Sequence, residues 1–195
     1  MVTNTLTTSN LIDLDLEKKI FFVFLGVITL FISSQIKIPF YPVPMTLQTM
    51  IVFVMASSFG MIGFYTTLSY ILLGLSGLPI FAYGGGPLYI FNPTFGFLLG
   101  MLLSSYFIAK LISVAPLNKS KNIIFLFLVI LLGACIVFLL GIPVLGAFYV
   151  LKKEMPLFLS FNEAIINGLK PFLYSELLKI SLSTLIAYKI LNRNN

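Results

Sequence analysis

Two oppositely charged residues, Glu176 and Lys179, stand within a largely apolar segment near the end of the chain. Because they are three residues apart, a helix would place both on the same face. Burying a charge at the centre of a bilayer costs roughly 2.5–3.5 kcal/mol or more, so each should point inward and have a partner. Two interpretations remain: an ion pair that only holds the helix in its bundle, or a polar site that recognises a ligand.

Other polar residues of interest lie where predicted helices begin or where the backbone is irregular. Gln48 and Asn92 carry amides that offer both donors and acceptors, to a ligand or to a neighbouring helix. Three consecutive glycines follow the third predicted span: Gly84, Gly85 and Gly86. Because glycine has no Cβ, they would let the backbone approach a ligand closely, although they also suit a plain flexible loop.

The composition argues against most reaction chemistry. The chain has no His and one Cys, which leaves no donor set for a metal site and no His-based triad. We expect Cys135, in the middle of an apolar run, to be a buried hydrophobic residue. An intramembrane enzyme that uses Glu163 or Glu176 would lack a second carboxylate at helical spacing to Glu176. The lysines are scattered and form no stripe, so nucleic acid is not an expected partner.

The elements that must position these residues are membrane helices. Of the 195 residues, 59% are apolar and 9% are charged, against roughly 25% charged in soluble domains. From Ile38 to Ala109 there are 72 consecutive residues without Asp, Glu, Lys or Arg, which is enough for about three spans of roughly 20 residues. We predict an all-α integral membrane protein in which residues 1–17 form a polar tail and 18–195 form one bundle. Its six spans are 20–36, 46–58, 61–75, 94–114, 122–142 and 171–191.

The connections on one face of this bundle are irregular. The segment 39–44 contains three prolines and cannot be regular helix, and the Gly-rich stretch follows the third span. We expect Gly141-Ile142-Pro143 to interrupt the fifth helix, and 151–170 to form an amphipathic surface helix. Non-helical backbone at membrane depth needs protein or a water-filled cavity around it. These outer loops are therefore expected to cover a pocket.

The lysines suggest the orientation. With both termini in the cytoplasm, the inner face holds seven basic residues and the outer face four, as the positive-inside rule favours. The inner set is Lys18, Lys19, Lys110, Lys119, Lys121, Lys189 and Arg193, and the outer set is Lys37, Lys152, Lys153 and Lys170.

Three segments carry a family resemblance. They read IPFYPVPMTLQT at 38–49, LGLSGLPIFA at 73–82 and PFLYSELLK at 171–179. Together they resemble the BioY family, the biotin-binding substrate-capture (S) components of energy-coupling-factor (ECF) transporters. The resemblance covers about residues 20–190. The family usually has Gly-Asp where this chain has Ser175-Glu176, and Gly and Tyr at the positions of Phe95 and Phe97.

The resemblance implies a bacterial cell-membrane protein with a biotin pocket open to the outside. Its implied partners are a transmembrane coupling protein and two ATPase subunits, and no cofactor is implied. The chain has no phosphate-binding G-x-x-x-x-G-K-[ST] motif, so ATP would be used by those partners.

Residue roles follow from the same resemblance. Small residues of helix 1 would dock the coupling protein, namely Gly26, Thr29 and Ser33. Glu176, with Asn92 or Gln48, would meet the ureido ring of biotin, Lys179 would meet the ureido carbonyl or the carboxylate, and the apolar ring would lie against Phe81, Tyr83 and Tyr89. The alternatives are an S component for another vitamin or small heterocycle, and a non-transport structural subunit.

Overall fold

The computed structural model describes residues 15–116 and 122–192. Within these ranges the chain forms seven α-helices, two short strands and two 3₁₀ turns. The helices are α1 Leu16–Gln35, α2 Gln48–Phe59, α3 Met61–Leu75, α4 Phe95–Val114, α5 Ile123–Lys153, α6 Leu157–Gly168 and α7 Leu173–Leu191. The strands are β1 Lys37–Ile38 and β2 Met45–Thr46, and the 3₁₀ turns are Pro87–Phe91 and Lys170–Phe172.

The Pro-rich segment is non-helical, as predicted, but it is also a small hairpin. Strands β1 and β2 pair antiparallel, with Lys37 opposite Thr46 and Ile38 opposite Met45. The prolines lie in the connection between them, where they remove no ladder hydrogen bond. The side chain of Thr46 then accepts a hydrogen bond from the backbone amide of Gln48 at 3.3 Å, which satisfies a free donor where α2 begins.

The predicted interruption of the fifth helix is wrong. Helix α5 is 31 residues long and continues through Pro143 to Lys153. Asn122 caps its start by accepting hydrogen bonds from the amides of Ile124 and Phe125. A membrane helix tolerates an internal proline, because neighbouring groups and local adjustments of the backbone satisfy the carbonyl that loses its donor. The predicted surface helix at 151–170 is present in shorter form as α6.

Helices α4 and α5 pack along each other, α1 packs against α3, and α2 contacts α3, α4 and α7. Glycines allow the closest approaches. A Cβ on Gly100 would lie 2.7 Å from the backbone of Val137 in α5, and a Cβ on Gly63 would collide with the backbone of Met55 and Ala56 in α2. The buried core runs through all the long helices and includes Phe53, Tyr70, Ile108, Ile130 and Leu145.

The exterior of the bundle is apolar. Large side chains such as Phe24, Leu72 and Leu139 are more than half exposed, an arrangement that suits lipid and not water. In the described ranges, α4 and α5 are long and apolar enough to cross a membrane, whereas α2 and α3 are apolar but shorter. The count of six spans therefore stays a prediction, and the tail predicted for 1–17 lies mostly outside the described residues.

The three residues predicted to form one docking face differ in their burial. Gly26 and Ser33 are buried, and a Cβ on Gly26 would lie 2.6 Å from Thr66 of α3. Thr29 is exposed and its hydroxyl donates to the carbonyl of Leu25. Helix 1 thus uses Gly26 and Ser33 inside the bundle. The prediction for Cys135 is also wrong, because this residue is exposed on α5.

Candidate ligand-binding site

A cavity lies under the hairpin and the loop between α3 and α4. Most of its wall is apolar and comes from Val43, Pro44, Phe81, Ala82, Phe97, Leu98, Met101, Val137, Phe138 and Phe172. The polar part of the wall comes from Thr46, Gln48, Thr49, Tyr89, Thr94, Glu176 and Lys179.

Glu176 and Lys179 form the charged part of this wall, one turn apart at the start of α7. Their side chains are 7% and 6% exposed and make an ion pair, Nζ to Oε1, of 2.5 Å. The hydroxyl of Thr49 donates to the same Oε1 at 3.0 Å and accepts from Nζ at 3.3 Å. The other oxygen of Glu176, Oε2, is buried and has no hydrogen-bond partner among the described residues. Such an orphaned acceptor beside a cavity is available to a ligand N–H.

Gln48 reaches the cavity wall, but both ends of its amide are already bonded. Its Nε2 donates to the hydroxyl of Tyr70 at 2.9 Å, and its Oε1 accepts from Thr46 at 3.1 Å. Tyr70 in turn donates to the carbonyl of Ile80 at 2.7 Å. This chain of bonds fixes the start of α2 to α3 and to the loop that follows α3.

A second chain of hydrogen bonds explains the position of Asn92. Its Oδ1 accepts from the amide of Thr94 at 3.0 Å and from the hydroxyl of Thr94 at 2.7 Å. Because the Thr94 hydroxyl gives its only proton to Asn92, the hydroxyl of Tyr89 must donate to the Thr94 oxygen, 2.9 Å away. Burial raises the pKa of Tyr89 above its ordinary value, so its phenol stays neutral. Asn92 itself does not line the cavity and holds the two residues that do.

The aromatic wall is ordered by ring contacts. The Phe81 ring lies 4.6 Å from that of Tyr89 and 5.3 Å from that of Tyr70, centroid to centroid. Gly74 makes room for it, since a Cβ there would collide with the Phe81 ring. On the opposite wall Phe97 meets Phe138 edge to face at 6.1 Å. Phe97 thus forms part of the cavity wall, while Phe95 packs beside the core and does not line the cavity.

The glycines and Tyr83 lie outside the cavity wall. Gly84 and Gly86 have φ of +102° and +104°, a conformation that L side chains rarely adopt. A Cβ on Gly85 would collide with the carbonyl of Leu78. These glycines thus shape the loop between α3 and α4 by turn geometry and close packing. Tyr83 is 44% exposed.

The β1–β2 hairpin and the loop between α3 and α4 form the roof of the cavity. Side-chain contacts of Ser34, Lys37 and Tyr83 join them, and we call these contacts the loop clasp. Lys37 donates from Nζ to the carbonyl of Ala82 and lies 5.5 Å from the centroid of the Tyr83 ring. Tyr83 donates from its hydroxyl to the carbonyl of Phe40 at 3.2 Å. Ser34 donates to the carbonyl of Ile80 at 2.8 Å. Three side chains thus join the end of α1 and the hairpin to residues 80–83.

Comparison with known proteins places this chain in a family. The model of the BioY family matches residues 5–195. The chain belongs to the BioY family. Relatives within it include the biotin transporter BioY of Thermotoga maritima, 33% identical over 82% of this chain and 87% of that protein. A probable biotin transporter BioY of Rickettsia prowazekii is 30% identical over 93% of this chain and 86% of its own length. BioY proteins are membrane transport components and not enzymes.

The fold is also that of a solved structure. The S-component for biotin from an ECF-type ABC transporter superposes with a TM-score of 0.73 at 21% identity, over 91% of this chain and 92% of that chain. This similarity shows that the all-helical bundle described above is the fold of that S-component.

Five of the predicted site residues lie in the cavity wall, and other wall residues were not predicted. Glu176, Lys179, Gln48, Phe81 and Tyr89 line the cavity. Thr49 was missed, although its place three residues after Thr46 at the start of α2 could have indicated a second hydroxyl on the same face. Apart from Phe97, which the family resemblance had marked, the contributions of α4 and α5 gave no signal, because their inward and outward faces are equally apolar. They are Phe97, Leu98, Met101, Val137 and Phe138.

Proposed function

We propose that this protein captures biotin at the outer face of the bacterial cell membrane, as the substrate-specific component of an ECF-type ABC transporter. The observation that carries the proposal is the cluster of Glu176, Lys179 and Thr49 in the wall of an otherwise apolar cavity. Relatives of the chain include a biotin transporter and a probable biotin transporter, and a solved structure of the same fold is an S-component for biotin.

The chemistry of biotin fits this wall. The ureido ring has two N–H donors and one carbonyl acceptor, so Oε2 of Glu176 accepts from an N–H and Lys179 donates to the carbonyl. The ammonium of Lys179 keeps a donor for this, since it has three protons and makes two bonds. The apolar thiophane ring lies against Phe81 and Tyr89, where contact excludes water from both surfaces.

The direct experiment is mass spectrometry of the small molecule that stays bound to protein purified from biotin-containing medium. We expect biotin at close to one molecule per chain. Purification from medium without biotin, followed by addition of the vitamin, is the control for background binding. Protein that is folded and empty in both preparations would contradict the proposal.

The first prediction concerns the charged wall. Glu176→Ala and Lys179→Ala should each weaken biotin binding by about 10- to 150-fold, because each removes a charged hydrogen-bonding group worth roughly 1.5–3 kcal/mol and leaves its partner unpaired. The measurement is calorimetric titration of the detergent-purified variants with biotin. Glu163→Ala is the control, since Glu163 bonds to Asn167 on α6 and does not line the cavity. Unchanged affinity in either wall variant would contradict the assignment.

The proposal includes a topology and partners. Six helices, α1 to α5 and α7, cross the membrane, α6 lies on the outer face, and both termini are cytoplasmic. The exposed apolar exterior supports this arrangement. A transmembrane coupling protein and two ATPase subunits would supply the energy for release, because this chain has no phosphate-binding loop motif. Of the three residues first considered for docking, Thr29 faces outward.

A second candidate is capture of another vitamin or small heterocycle. The observation that favours it is Phe97, which lines the cavity at a position where the family usually has a tyrosine, so one wall lacks a hydroxyl. Titration with a panel of vitamins separates the two candidates. Binding of biotin ahead of every other vitamin supports the first, and a clear preference for another supports the second.

A further inference from the structure

Thr49 contacts the charged pair in the cavity wall from a different helix. Glu176 and Lys179 are both on α7, and Thr49 is the second residue of α2. Its hydroxyl is 3.0 Å from Oε1 of Glu176 and 3.3 Å from Nζ of Lys179. Each of these bonds joins residues more than 120 positions apart in the chain, so they tie the pair to the opposite helix.

The proton count orients this contact. A hydroxyl has one proton, and an ammonium can only donate. Thr49 must therefore accept from Lys179 and give its own proton to Glu176. Oε1 then receives both the hydroxyl and the ammonium, whereas Oε2 receives no hydrogen bond from the described residues.

We propose that Thr49 is a positioning residue for the ligand site: it holds Oε1 of Glu176 against Lys179, so that Oε2 remains the acceptor for the ligand. This inference rests on the proposed biotin-binding function. Without the hydroxyl, the carboxylate of Glu176 can rotate about its last bond and share both oxygens with the ammonium. The pair would then satisfy itself, and a ligand N–H would have to break an ion pair to bind.

A purely structural role for Thr49 would be to join α2 to α7. The structure has a separate bond for that purpose, because the hydroxyl of Ser183 donates to the carbonyl of Met50 at 3.2 Å across the same pair of helices. Ser183 does not line the cavity. It therefore provides a matched control: a hydroxyl in the same helix contact that does not touch the charged pair.

The experiment compares biotin affinity in five purified proteins: the natural chain, Thr49→Val, Thr49→Ala, Thr49→Ser and Ser183→Ala. We expect Thr49→Val to weaken binding about 10- to 100-fold, the range for a lost hydrogen bond to a charged group. Thr49→Ser keeps the hydroxyl and should stay within about threefold of the natural chain, as should Ser183→Ala. Thr49→Ala repeats the test with a side chain too small to overpack the contact. Equal losses in Thr49→Val and Ser183→Ala would overturn the proposal in favour of a structural role.

A double-mutant cycle with Glu176 separates positioning from general packing. In a Glu176→Gln background there is no carboxylate to orient, so Thr49→Val should cost less than about threefold in affinity. The same fold loss in both backgrounds would overturn the proposal, as would an unchanged affinity of Thr49→Val in the natural chain. If the natural chain does not bind biotin, the proposed function itself fails, and this result is distinguishable because it appears before any substitution is made.

Discussion

The ion pair of Glu176 and Lys179 is bonded within itself, buried, and yet part of a cavity wall. A pair of this kind adds little net stability, because the cost of removing two charges from water offsets their attraction. Removing one partner is different, since it leaves an uncompensated charge in an apolar interior. The pair is thus a poor stabilising device but a suitable recognition device, with one carboxylate oxygen and one ammonium proton still unused.

This difference gives a prediction about stability. Lys179→Met should lower the free energy of unfolding by about 3–5 kcal/mol, because Glu176 is left as an unpaired buried charge. The double variant Glu176→Gln with Lys179→Met should recover most of that loss, since no charge remains. Thermal unfolding of the purified proteins in one detergent measures both. A double variant no more stable than the single one would show that the pair holds the bundle together by its attraction.

At this scale the sequence predicted the charged residues but not their neighbours. Spacing and burial cost are enough to place Glu176 and Lys179 on one inward face. They do not reveal that the amide of Gln48 is spent on Tyr70 and Thr46, or that Asn92 supports Tyr89 through Thr94. Those bonds depend on which loop folds against which helix, and a single sequence does not record that.

Among the elements, the hairpin and the loop between α3 and α4 share one task. Val43 and Pro44 of the first and Phe81 and Ala82 of the second line the same cavity. The loop clasp joins them through side chains that do not touch the space where a ligand would lie. Its bonds must break if either loop moves away, so they oppose the opening of the roof.

The clasp gives a kinetic prediction. Lys37→Met removes the bond to Ala82 and the charge beside the Tyr83 ring, and should raise the rate of biotin dissociation about fivefold, the equivalent of roughly 1 kcal/mol for a partly exposed bond. The measurement is loss of labelled biotin during a chase with unlabelled vitamin. Lys152→Met, at an exposed lysine outside the clasp, should leave the rate unchanged. An unaltered rate in Lys37→Met would mean that the clasp does not limit release.

Helix boundaries were largely predictable, and the exceptions have physical reasons. The prediction of 61–75 coincides with α3, and the starts of α4 and α7 are within two residues of the predictions. The hairpin was missed because two-residue strands have too few positions for an alternating pattern. Helix α5 was predicted too short because the rule that an internal proline ends a helix does not hold where the freed backbone groups are satisfied in another way.

For the molecule as a whole, the apolar exterior means that a hydrophobic residue cannot be assumed to be buried. Cys135 was expected inside and is exposed, because in a bundle surrounded by lipid an apolar residue is stable on either side. For the same reason the sequence could not tell which residues of α4 and α5 line the cavity. It could predict membrane location, an all-helical fold and the family.

Orientation is testable with single cysteines in a Cys135→Ser background. Lys170→Cys, at the 3₁₀ turn before α7, should react with a membrane-impermeant maleimide on intact cells. Lys110→Cys, near the end of α4, should react only after the cells are permeabilised. Both side chains are exposed on the protein, so reactivity reports the side of the membrane. The opposite pattern would reverse the proposed topology.

A calorimetric titration of the purified chain with biotin, beside the Glu176→Gln, Lys179→Met double variant, decides whether the charged pair forms the site. We expect saturable binding near one biotin per chain in the natural protein, and at least about a 100-fold weaker affinity in a double variant that is still folded. Equal binding by both proteins, or no binding by either, would contradict the claim that the charged pair forms the biotin site.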